Sequence, residues 1–490
     1  MLDGTLRKKI NRGVAWTGVA QAIIGIADFI SILVTLALFV SAEHWGIAMS
    51  AMLFYPVLDA LADSGVASAV IQRDDHTPEK LSTVFWFNVM VSLGLFGVTL
   101  VGGPLYARAF GEPVLAGLII AYGGKLVLQN AYQMPIALLR KEMRFNDVAR
   151  MRIVAHLAES ISRPIFAAFG ATIWCATLAA LVRVVVISVH AQVMHPFRPL
   201  RVFRPRLVAD YIRFGLRNTG SQVLYYTYTN LDYLVVKAYF GNAALGMYQL
   251  AYTMVLEPVR SLANVVSDVA LPTFARLRRH PESVSAQLGH FVRLNLITVL
   301  PFLVVLFCIA EDFLLLTNDK WTAAQLHIVA EAVKILCIVG LMRAVAFLGP
   351  PVLDGLGRPG LTLTYMVTAA VLLTSGFVGF AQLLSHGGPD DFLVVAWAWV
   401  ACYPLAFLLL GVILSRVANI SWRVVFWRNA GILLSCGVGV AAGLGAHYLL
   451  ADAALPLRLG ATFAAAVIGM GVPLVKWQGV TVANIKAALR

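Results

Sequence analysis

The sequence contains few charged residues for its length. Only 13% of its 490 residues are Asp, Glu, Lys or Arg, whereas 60% are hydrophobic and the mean hydropathy is +0.80. A soluble domain usually carries about 25% charged residues, so this chain has too few to cover a water-facing surface. Its longest polar stretch, roughly residues 195–211, is only a linker. The composition therefore excludes a large aqueous domain and predicts a protein whose main solvent is lipid.

Motifs of catalysis and cofactor binding are also missing from the sequence. It contains no GxxxxGK[ST], HExxH or GxSxG pattern, and so it offers no P-loop for ATP, no zinc-protease site and no serine-hydrolase elbow. The five cysteines are scattered through apolar segments without a CxxC pair, which argues against metal ligation and disulfides. We therefore expect no cofactor, no metal site and no enzymatic activity.

Long apolar runs separated by short loops fill the chain. A transmembrane helix needs about 20 apolar residues, and the basic N-terminal tail runs into an apolar stretch that is longer than the core of a signal peptide. We expect that stretch to be an uncleaved first helix. The fourteen predicted spans cover residues 13–40, 46–70, 82–103, 114–139, 150–170, 172–193, 213–240, 244–272, 288–311, 326–350, 361–384, 392–415, 428–450 and 456–475.

Basic residues are concentrated in every second loop. With the N-terminus placed in the cytoplasm, 27 of the 38 Lys and Arg residues lie in inside segments. Only three, Arg108, Lys320 and Arg458, lie in outside segments. Because basic residues are retained on the cytoplasmic side of membranes, we predict that both termini are cytoplasmic. This bias also explains the formal net charge of +13 without any nucleic-acid partner.

Two stretches about 200 residues apart resemble one another. GVAWTG, HWGIAM and Pro56 in the first correspond to GLRNTG, ALGMYQ and Pro258 in the second. An offset of six helices predicts a parallel repeat of two six-helix lobes around a central cavity. The expected parts are a cytoplasmic tail (1–12), an N-lobe (13–193), a basic cytoplasmic linker (194–212), a C-lobe (213–415), and two added helices with a cytoplasmic tail (416–490).

Charged residues at membrane depth are costly and are candidates for function. Glu159 and Arg163 are spaced i,i+4 on one helix, which favours a structural ion pair. Glu257 and Arg260 flank Pro258, and Asp59 follows Pro56 in the first repeat. The deepest predicted set contains Asp28, Asp59, Lys125, Glu159, Arg163, Arg183, Glu257 and Arg260.

Interrupted helices at matching positions of two repeats point to a transport site. Since proline removes a backbone hydrogen bond, Pro56 and Pro258 predict kinks in the second and eighth spans, although both prolines also suit simple packing. The segment LYYTYTN places Tyr225, Tyr226 and Tyr228 on the seventh span. These tyrosines suit a saccharide cavity and equally suit a packed aromatic cluster.

Three segments carry a resemblance to a known family. HWGIAMSAMLFYPVLDALADSGVASAVIQRDD, QMPIALLRKEMRF and NLDYLVVKAYFGNAALGMYQLAYTMVLEPVRSLANVVSDVALPTFARL resemble the Wzx-type polysaccharide transporters. The similarity runs over most of residues 10–415 and is nearest to the branch that exports colanic acid and succinoglycan. These motifs are helix patterns without a catalytic signature.

The resemblance implies the multidrug/oligosaccharidyl-lipid/polysaccharide exporter fold in a bacterial inner membrane. It also implies that an undecaprenyl-pyrophosphate-linked oligosaccharide is flipped from the cytoplasmic to the periplasmic leaflet by alternating access. The cations Arg260, Lys125, Arg163 and Arg183 are then candidates for the pyrophosphate, and Asp28, Asp59 and Glu257 are candidates for H⁺ or Na⁺ coupling. The family further implies a polysaccharide polymerase and a chain-length regulator as partners.

Three alternatives remain open at this point. A drug or cation antiporter of the same superfamily has the same helices, and the deep charges are balanced between four acids and four bases. A lipid II flippase also has fourteen helices. A membrane-embedded polymerase or ligase is the alternative from another class, but the longest outside segment, residues 311–324, is small for such an enzyme.

Overall fold

The computed structural model of the protein describes most of the chain. The described residues are 4–63, 70, 77–142, 144–277, 281–385, 388, 391–418 and 422–478. Within these ranges, side chains are described except at 4–19, 22, 63, 207, 210–222, 224–225, 227–228, 265, 268–269, 271–272, 276, 281–282, 418, 424 and 477–478.

Each of the fourteen predicted spans lies mainly in helix over the residues that the structure describes. The described residues are helical almost throughout, which confirms the prediction of an all-α polytopic protein. The helices are α1 (Gly4–Leu38), α2 (Ala42–Met52), α3 (Tyr55–Asp63), α4 (Pro78–Ala109), α5 (Val114–Leu128), α6 (Asn130–Lys141), α7 (Phe145–Ala168), α8 (Cys175–Met194), α9 (Ala209–Leu277), α10 (Pro281–Thr317), α11 (Ala323–Ala346), α12 (Gly349–Gly355), α13 (Pro359–Leu384), α14 (Leu393–Ala418), α15 (Trp422–Leu449) and α16 (Leu455–Gln478).

The helices differ in how apolar they are. Among the described residues, nine spans are long and apolar enough to cross a membrane, and the bent pair α5–α6 makes a tenth if it is one span. The remaining predicted spans lie in α1, α7 and the two parts of α9. Large side chains such as Ile26, Val101 and Leu408 are exposed, as lipid-facing positions require.

Side-chain caps begin several helices. The hydroxyl of Ser41 accepts a hydrogen bond from the backbone N–H of His44 at the start of α2, and Thr77 does the same for Lys80 at the start of α4. Thr322 and Gln325 form a reciprocal capping box before α11. Each cap satisfies an N–H group that the first helical turn leaves without a partner.

The helices form two compact units, Met1–Gly246 and Met247–Arg490. In the first unit, α1 packs on α7, α7 on α8, and α4 on α5. In the second unit, α15 packs on α16 and both contact α10, while α14 contacts α11 and α13. The linker 194–212 lies inside the first unit, so the lobe boundary placed there stays a prediction.

A backbone break at Gly241 divides α9 into the predicted seventh and eighth spans. Its φ of 83° and ψ of −167° lie in a region that essentially only glycine adopts. A short chain reversal without a loop is possible there because glycine has no Cβ. The sequence prediction of two spans with a very short connection agrees with this geometry.

Two glycines of the first unit let α2 cross the residues that follow Gly241. A Cβ added at Gly46 would overlap the carbonyl oxygen of Asn242, and a Cβ added at Gly246 would overlap that of Ala42. Both Gly46/Gly246 and Ala42/Asn242 are pairs with the same offset of 200 positions. The two close contacts, Gly46 with Asn242 and Gly246 with Ala42, therefore join equivalent positions of the two copies of the predicted repeat.

The GxxxG pair of α15 forms a close helix contact in the second unit. A Cβ on Gly439 would lie 2.6 Å from Cβ of Met470, and a Cβ on Gly443 would lie 3.0 Å from Cβ of Ala466, both on α16. Small residues at such positions let helix backbones approach closely in membranes. Gly439 and Gly443 therefore allow the close approach of α15 and α16.

We predict that Gly439→Ala destabilises the protein, because the new methyl group has no space against α16. The matched control is Gly437→Ala on the same helix, where an added Cβ meets nothing within 4 Å. The control gains helix propensity of up to about 1 kcal/mol, whereas overpacking at Gly439 costs about 1–3 kcal/mol. Thermal unfolding of the two variants in detergent is the measurement. Equal melting temperatures would contradict the assigned packing.

Candidate functional site: a cationic cavity in the first unit

The first unit encloses a polar cavity of about 450 Å³ between helices that lie at membrane depth. Its walls come from α1, α3, the α5–α6 break, α6, α7, α8 and the first part of α9. Arginines from three helices line it, namely Arg140, Arg152 and Arg183. Asp59 is the one carboxylate among the described lining residues. The cavity is therefore cationic, which is unusual for a site surrounded by hydrocarbon.

Neutral hydrogen-bonding side chains form a second part of the lining. They are three glutamines and two tyrosines, Gln21, Gln129, Gln133, Tyr132 and Tyr226. Amide and phenol groups both donate and accept hydrogen bonds, which suits a ligand rich in hydroxyl groups. The cavity thus combines charge that recognises an anion with neutral groups that recognise a polyol.

Gln129 reaches the cavity because the helix is broken at that residue. The axes of α5 and α6 differ by 43°, and Gln129 is the single residue between them. Its side chain is 1% exposed, and its Nε2 atom has no hydrogen-bond partner among the described residues. A buried amide donor without a partner is costly, so this N–H₂ group is available to a ligand.

Neighbouring side chains stabilise the broken helix. Pro135 has no N–H group, which leaves the carbonyl of Ala131 without its usual helical donor. Nε2 of Gln192 on α8 donates to that carbonyl oxygen at 2.7 Å. Asn130 donates to Oγ of Ser92 at 3.0 Å. The irregular backbone is therefore satisfied by protein groups, as it has to be at membrane depth.

A network of charged side chains supports the wall of the cavity, with Glu159 and Arg163 buried and Asp28 and Arg183 partly exposed. Nη2 of Arg163 lies 2.8 Å from Oδ1 of Asp28 and 3.9 Å from Oε1 of Glu159, and Nη1 of Arg163 donates to Oγ of Ser31 at 3.3 Å. Oε2 of Glu159 lies 3.3 Å from Nε of Arg183. The chain of contacts runs from α1 through α7 to α8. Glu159 therefore fixes the arginine that lines the cavity.

Arg152 differs from the networked arginines. Its side chain is half-buried on α7 and has no hydrogen bond or ion pair with any described residue. The nearby charges of Arg140 and Arg183 repel it. Like charges gathered around a cavity destabilise one another until an anion binds. Arg152 is thus the strongest anion-binding candidate of the lining.

Asp59 and Lys125 lie on either side of Tyr55. The hydroxyl of Tyr55 donates to Oδ1 of Asp59 at 3.1 Å. Nζ of Lys125, which is buried, lies 4.0 Å above the centroid of the Tyr55 ring and 5.9 Å from that of Tyr122. Such cation–π contacts partly replace the hydration of the ammonium group. Asp59 contacts the cavity, whereas Lys125 lies behind its wall.

The structure separates the residues predicted from sequence into groups. Arg183, Asp59 and Tyr226 line the cavity, and Asp28 and Arg163 belong to the supporting network. In the second unit, Nη2 of Arg260 lies 2.5 Å from Oε2 of Glu257, and both side chains are partly exposed. The side chains of Tyr225 and Tyr228 lie outside the described residues.

The two predicted kinks have different outcomes in the backbone. The helix is interrupted at Leu53 and Phe54, just before Pro56, where proline leaves the carbonyl of Met52 without a donor. In contrast, α9 is assigned as continuous helix through Pro258, and Gly241 has the only non-helical angles among its described residues. The roles of both prolines in transport stay predictions.

Sequence reasoning missed several polar cavity residues, among them Gln21, Gln129, Tyr132, Gln133, Arg140 and Arg152. Arg140 and Arg152 lie in segments that the positive-inside bias assigns to cytoplasmic loops. Gln129, Tyr132 and Gln133 are uncharged residues in a predicted apolar span, so nothing in the sequence singles them out. The one available signal is the segment QMPIALLRKEMRF, which begins at Gln133 and carries the family resemblance. A charged residue at a helix end looks the same in sequence whether it faces water or a cavity.

Comparison with known proteins identifies the family. The family described as polysaccharide biosynthesis protein matches residues 35–325. The chain belongs to this family. It is 26% identical to the lipopolysaccharide biosynthesis protein WzxC of Escherichia coli over 348 residues, 70% of this chain and 69% of WzxC. It is 24% identical to the teichuronic acid biosynthesis protein TuaB of Bacillus subtilis over 431 residues, 86% of either chain.

Solved structures show the same fold at low sequence identity. The lipid II flippase MurJ in an inward closed conformation matches with a TM-score of 0.72 and 14% identity, over 94% of this chain and 99% of that one. An inward-facing multidrug resistance MATE family transporter of the MOP superfamily matches with a TM-score of 0.58 and 16% identity, over 82% and 96%. The polysaccharide biosynthesis family and this fold confirm the predictions of a Wzx-type membrane transporter and of a protein that is not an enzyme.

We predict that Glu159→Gln destabilises the folded protein, because it leaves Arg163 and Arg183 with one carboxylate between them. Breaking a buried ion pair typically costs about 3–5 kcal/mol. The matched control is Glu79→Gln, which breaks the exposed pair between Glu79 and Arg204 at 3.2 Å and should cost less than about 1 kcal/mol. Thermal unfolding of both variants in the same detergent measures the difference. If Glu159→Gln unfolds at the temperature of the control, the network is not structural.

Proposed function

We propose that this protein is a flippase for an undecaprenyl-pyrophosphate-linked oligosaccharide. The observation that carries the proposal is the cavity of Arg140, Arg152 and Arg183 beside a band of glutamines and tyrosines. Guanidinium groups bind phosphate oxygens through charge-assisted and often bidentate hydrogen bonds. The amides and phenols beside them suit the hydroxyl groups of a sugar. The family, whose named members act in polysaccharide biosynthesis, supports this substrate class.

The cavity size limits which part of the substrate it holds. A volume of about 450 Å³ falls within the range of sites for one drug-sized ligand, about 300–1,000 Å³. We therefore assign the cavity to the pyrophosphate and the sugar attached to it. The polyprenyl chain is apolar and stays in the bilayer, where it needs no protein site. The rest of the oligosaccharide extends away from these contacts.

The position of the arginines favours loading from the cytoplasm. Arg140 and Arg152 belong to the segments that the positive-inside bias assigns to the cytoplasmic side of an inner membrane. On this orientation, with both termini inside, the cavity lies nearer the leaflet in which the lipid-linked sugar is made. Alternating access then exposes the bound headgroup to the other side. The expected partners, a polymerase and a chain-length regulator, act on the released product.

A transport reaction of this kind has to release a tightly held anion. Asp59 lies in the same cavity and has no ion pair among the described residues. The ionised carboxylate of Asp59 repels a pyrophosphate and competes with it for the arginines. Binding of H⁺ or Na⁺ to Asp59 neutralises this carboxylate and so ends the competition. Asp28 and Glu257 are ion-paired with Arg163 and Arg260. Among the three predicted coupling carboxylates, Asp59 is therefore the leading candidate.

The charge of the cavity weighs against a cationic drug as substrate. A drug antiporter needs carboxylates to bind its substrate, but three arginines and one aspartate line this site. A lipid II flippase remains the second candidate, because lipid II carries the same kind of anionic pyrophosphate and MurJ has this fold. The two substrates differ in their sugars, which the tests below distinguish.

We predict that Arg152→Gln and Arg183→Gln each reduce headgroup binding about 10- to 100-fold. This is the range for one hydrogen bond to a charged group, about 1.5–3 kcal/mol. Arg152→Lys keeps the charge and should retain more activity. The measurement is flipping of fluorescent lipid-linked oligosaccharide by protein reconstituted in vesicles, with lipid II as the competing substrate. Full activity of both glutamine variants would overturn the assigned site.

The same variants also test the function in cells. A strain that lacks the gene should accumulate lipid-linked repeat units in the inner leaflet and lose the exported polymer. Wild type restores the polymer, and Arg152→Gln should not. Arg204→Gln removes an exposed charge outside the cavity and serves as the control. Unchanged polysaccharide combined with new drug sensitivity in the deletion strain would favour the antiporter instead.

We predict that Asp59→Asn uncouples transport from the ion gradient. The amide keeps the shape of the side chain and the hydrogen bond from Tyr55, but it carries no charge for an ion to neutralise. Flipping by the variant should then proceed at one rate with and without a pH or Na⁺ gradient across the vesicle. The control is Asp28→Asn in the supporting network. If the Asp59 variant still responds to the gradient as wild type does, the coupling site lies elsewhere.

A further inference from the structure

The connection between α8 and α9 is a fixed strap on the surface of the first unit. Its residues 196–204 form neither helix nor strand. Two backbone N–H groups of the strap, those of Leu200 and Arg204, donate to the hydroxyls of Ser82 and Thr83 at 2.9 and 3.3 Å. Nε1 of Trp86 donates to the carbonyl of Leu200 at 2.8 Å. The strap therefore lies along the first three turns of α4.

The strap is built from a three-residue repeat that the function does not explain. Residues 196–206 read PFR-PLR-VFR-PR, so proline or valine, a large apolar residue and arginine recur at every third position. An extended polyproline-like chain has three residues per turn, and so each residue type follows one edge of the strap. Proline favours that conformation and lowers the entropy lost on ordering.

The arginine edge is exposed and mostly without acidic partners. Arg198, Arg201 and Arg204 are exposed, and so is Arg206 in the short 3-10 helix Pro205–Val208 that directly follows the strap. Arg204 pairs with Glu79 at 3.2 Å, and the other three form no ion pair with any described residue. The apolar edge beside them is also open, since Leu200 is 45% and Phe203 44% exposed.

The strap lies at the level of lipid headgroups. α4 has 32 residues and is therefore about 48 Å long at 1.5 Å per residue. The hydrocarbon core is about 30 Å thick, so the first turns of α4 extend beyond it. Trp86 in the third of these turns is typical of the membrane interface. The strap contacts these same turns, on the side that the basic residues assign to the cytoplasm.

We propose that the strap is a docking site for anionic phospholipid headgroups of the cytoplasmic leaflet. Its arginines bind the phosphates of several lipids, while Leu200 and Phe203 enter the interface between headgroups and acyl chains. Anionic phospholipid is the ligand that fits this site, because the exposed edge of the strap is cationic and the cytoplasmic leaflet is anionic. Phospholipid bound here anchors the connection between the two halves of the chain to the membrane surface.

The test is lipid binding to the full-length protein, measured by native mass spectrometry with phosphatidylglycerol and phosphatidylcholine. Wild type should retain phosphatidylglycerol preferentially. Arg198→Gln/Arg201→Gln/Arg206→Gln should weaken that binding about 100-fold, because each basic residue near an anionic surface contributes about five-fold. The corresponding lysine triple variant should keep most of it. It also keeps the charge that orients the chain in the membrane.

The matched control removes three arginines from the same predicted side of the membrane. Arg416, Arg423 and Arg428 are exposed in the second unit, and their triple glutamine variant should keep the tightly bound phosphatidylglycerol. Equal binding of both lipids by wild type, or equal losses in the two triple variants, would overturn the proposal. So would displacement of the lipid by an acidic protein or by farnesyl pyrophosphate at micromolar concentration.

Discussion

The cost of charge in a hydrocarbon environment determines how the first unit is organised. Asp28, Glu159, Arg163 and Arg183 come from three helices, and each is tolerated at depth because it contacts an opposite charge. Removing any one leaves a partner uncompensated. The pairs therefore hold α1, α7 and α8 in one arrangement, and this arrangement forms a wall of the cavity. Stability and the shape of the site rest on the same contacts.

Two arginines of α7 illustrate how neighbours decide the role of one residue type. Arg163 contacts Asp28, Ser31 and Glu159, so its charge is neutralised within the protein. Arg152, three turns earlier, lies near Arg140 and Arg183 and has no described acidic partner. The first arrangement stabilises the fold without a ligand. The second is destabilised until an anion arrives, which is the property that a substrate site needs.

The helices of this protein follow from its sequence because hydropathy is a local property that adds along the chain. All fourteen predicted segments lie mainly in helix where the structure describes them, and the short split near residue 241 coincides with a glycine at positive φ. The site is less accessible from sequence because it depends on which helix faces which. Arg163, Arg183 and Lys125 are equivalent candidates in the sequence because all three are predicted at membrane depth. In the structure, only Arg183 of the three lines the cavity.

The same limit applies to residues near helix ends. Arg140 and Arg152 lie where the positive-inside bias expects basic residues, so their number and position carry no sign of a cavity. Their role depends on α6, α7 and α8 meeting around one space. Tertiary packing decides this, and a single sequence contains no direct record of it.

Helix breaks show why proline is an incomplete guide to a transport pathway. Proline removes one hydrogen bond, but the backbone angles of α9 stay helical through Pro258. A break needs partners for the freed backbone groups, and the carbonyls of Val127 and Ala131 at the α5–α6 break accept hydrogen bonds from the side chains of Asn130 and Gln192. Irregular backbone at membrane depth is tolerated where it lines a cavity. The break at Gln129, whose Nε2 has no hydrogen-bond partner among the described residues, lies at the cavity of the proposed function, whereas Pro258 does not line it.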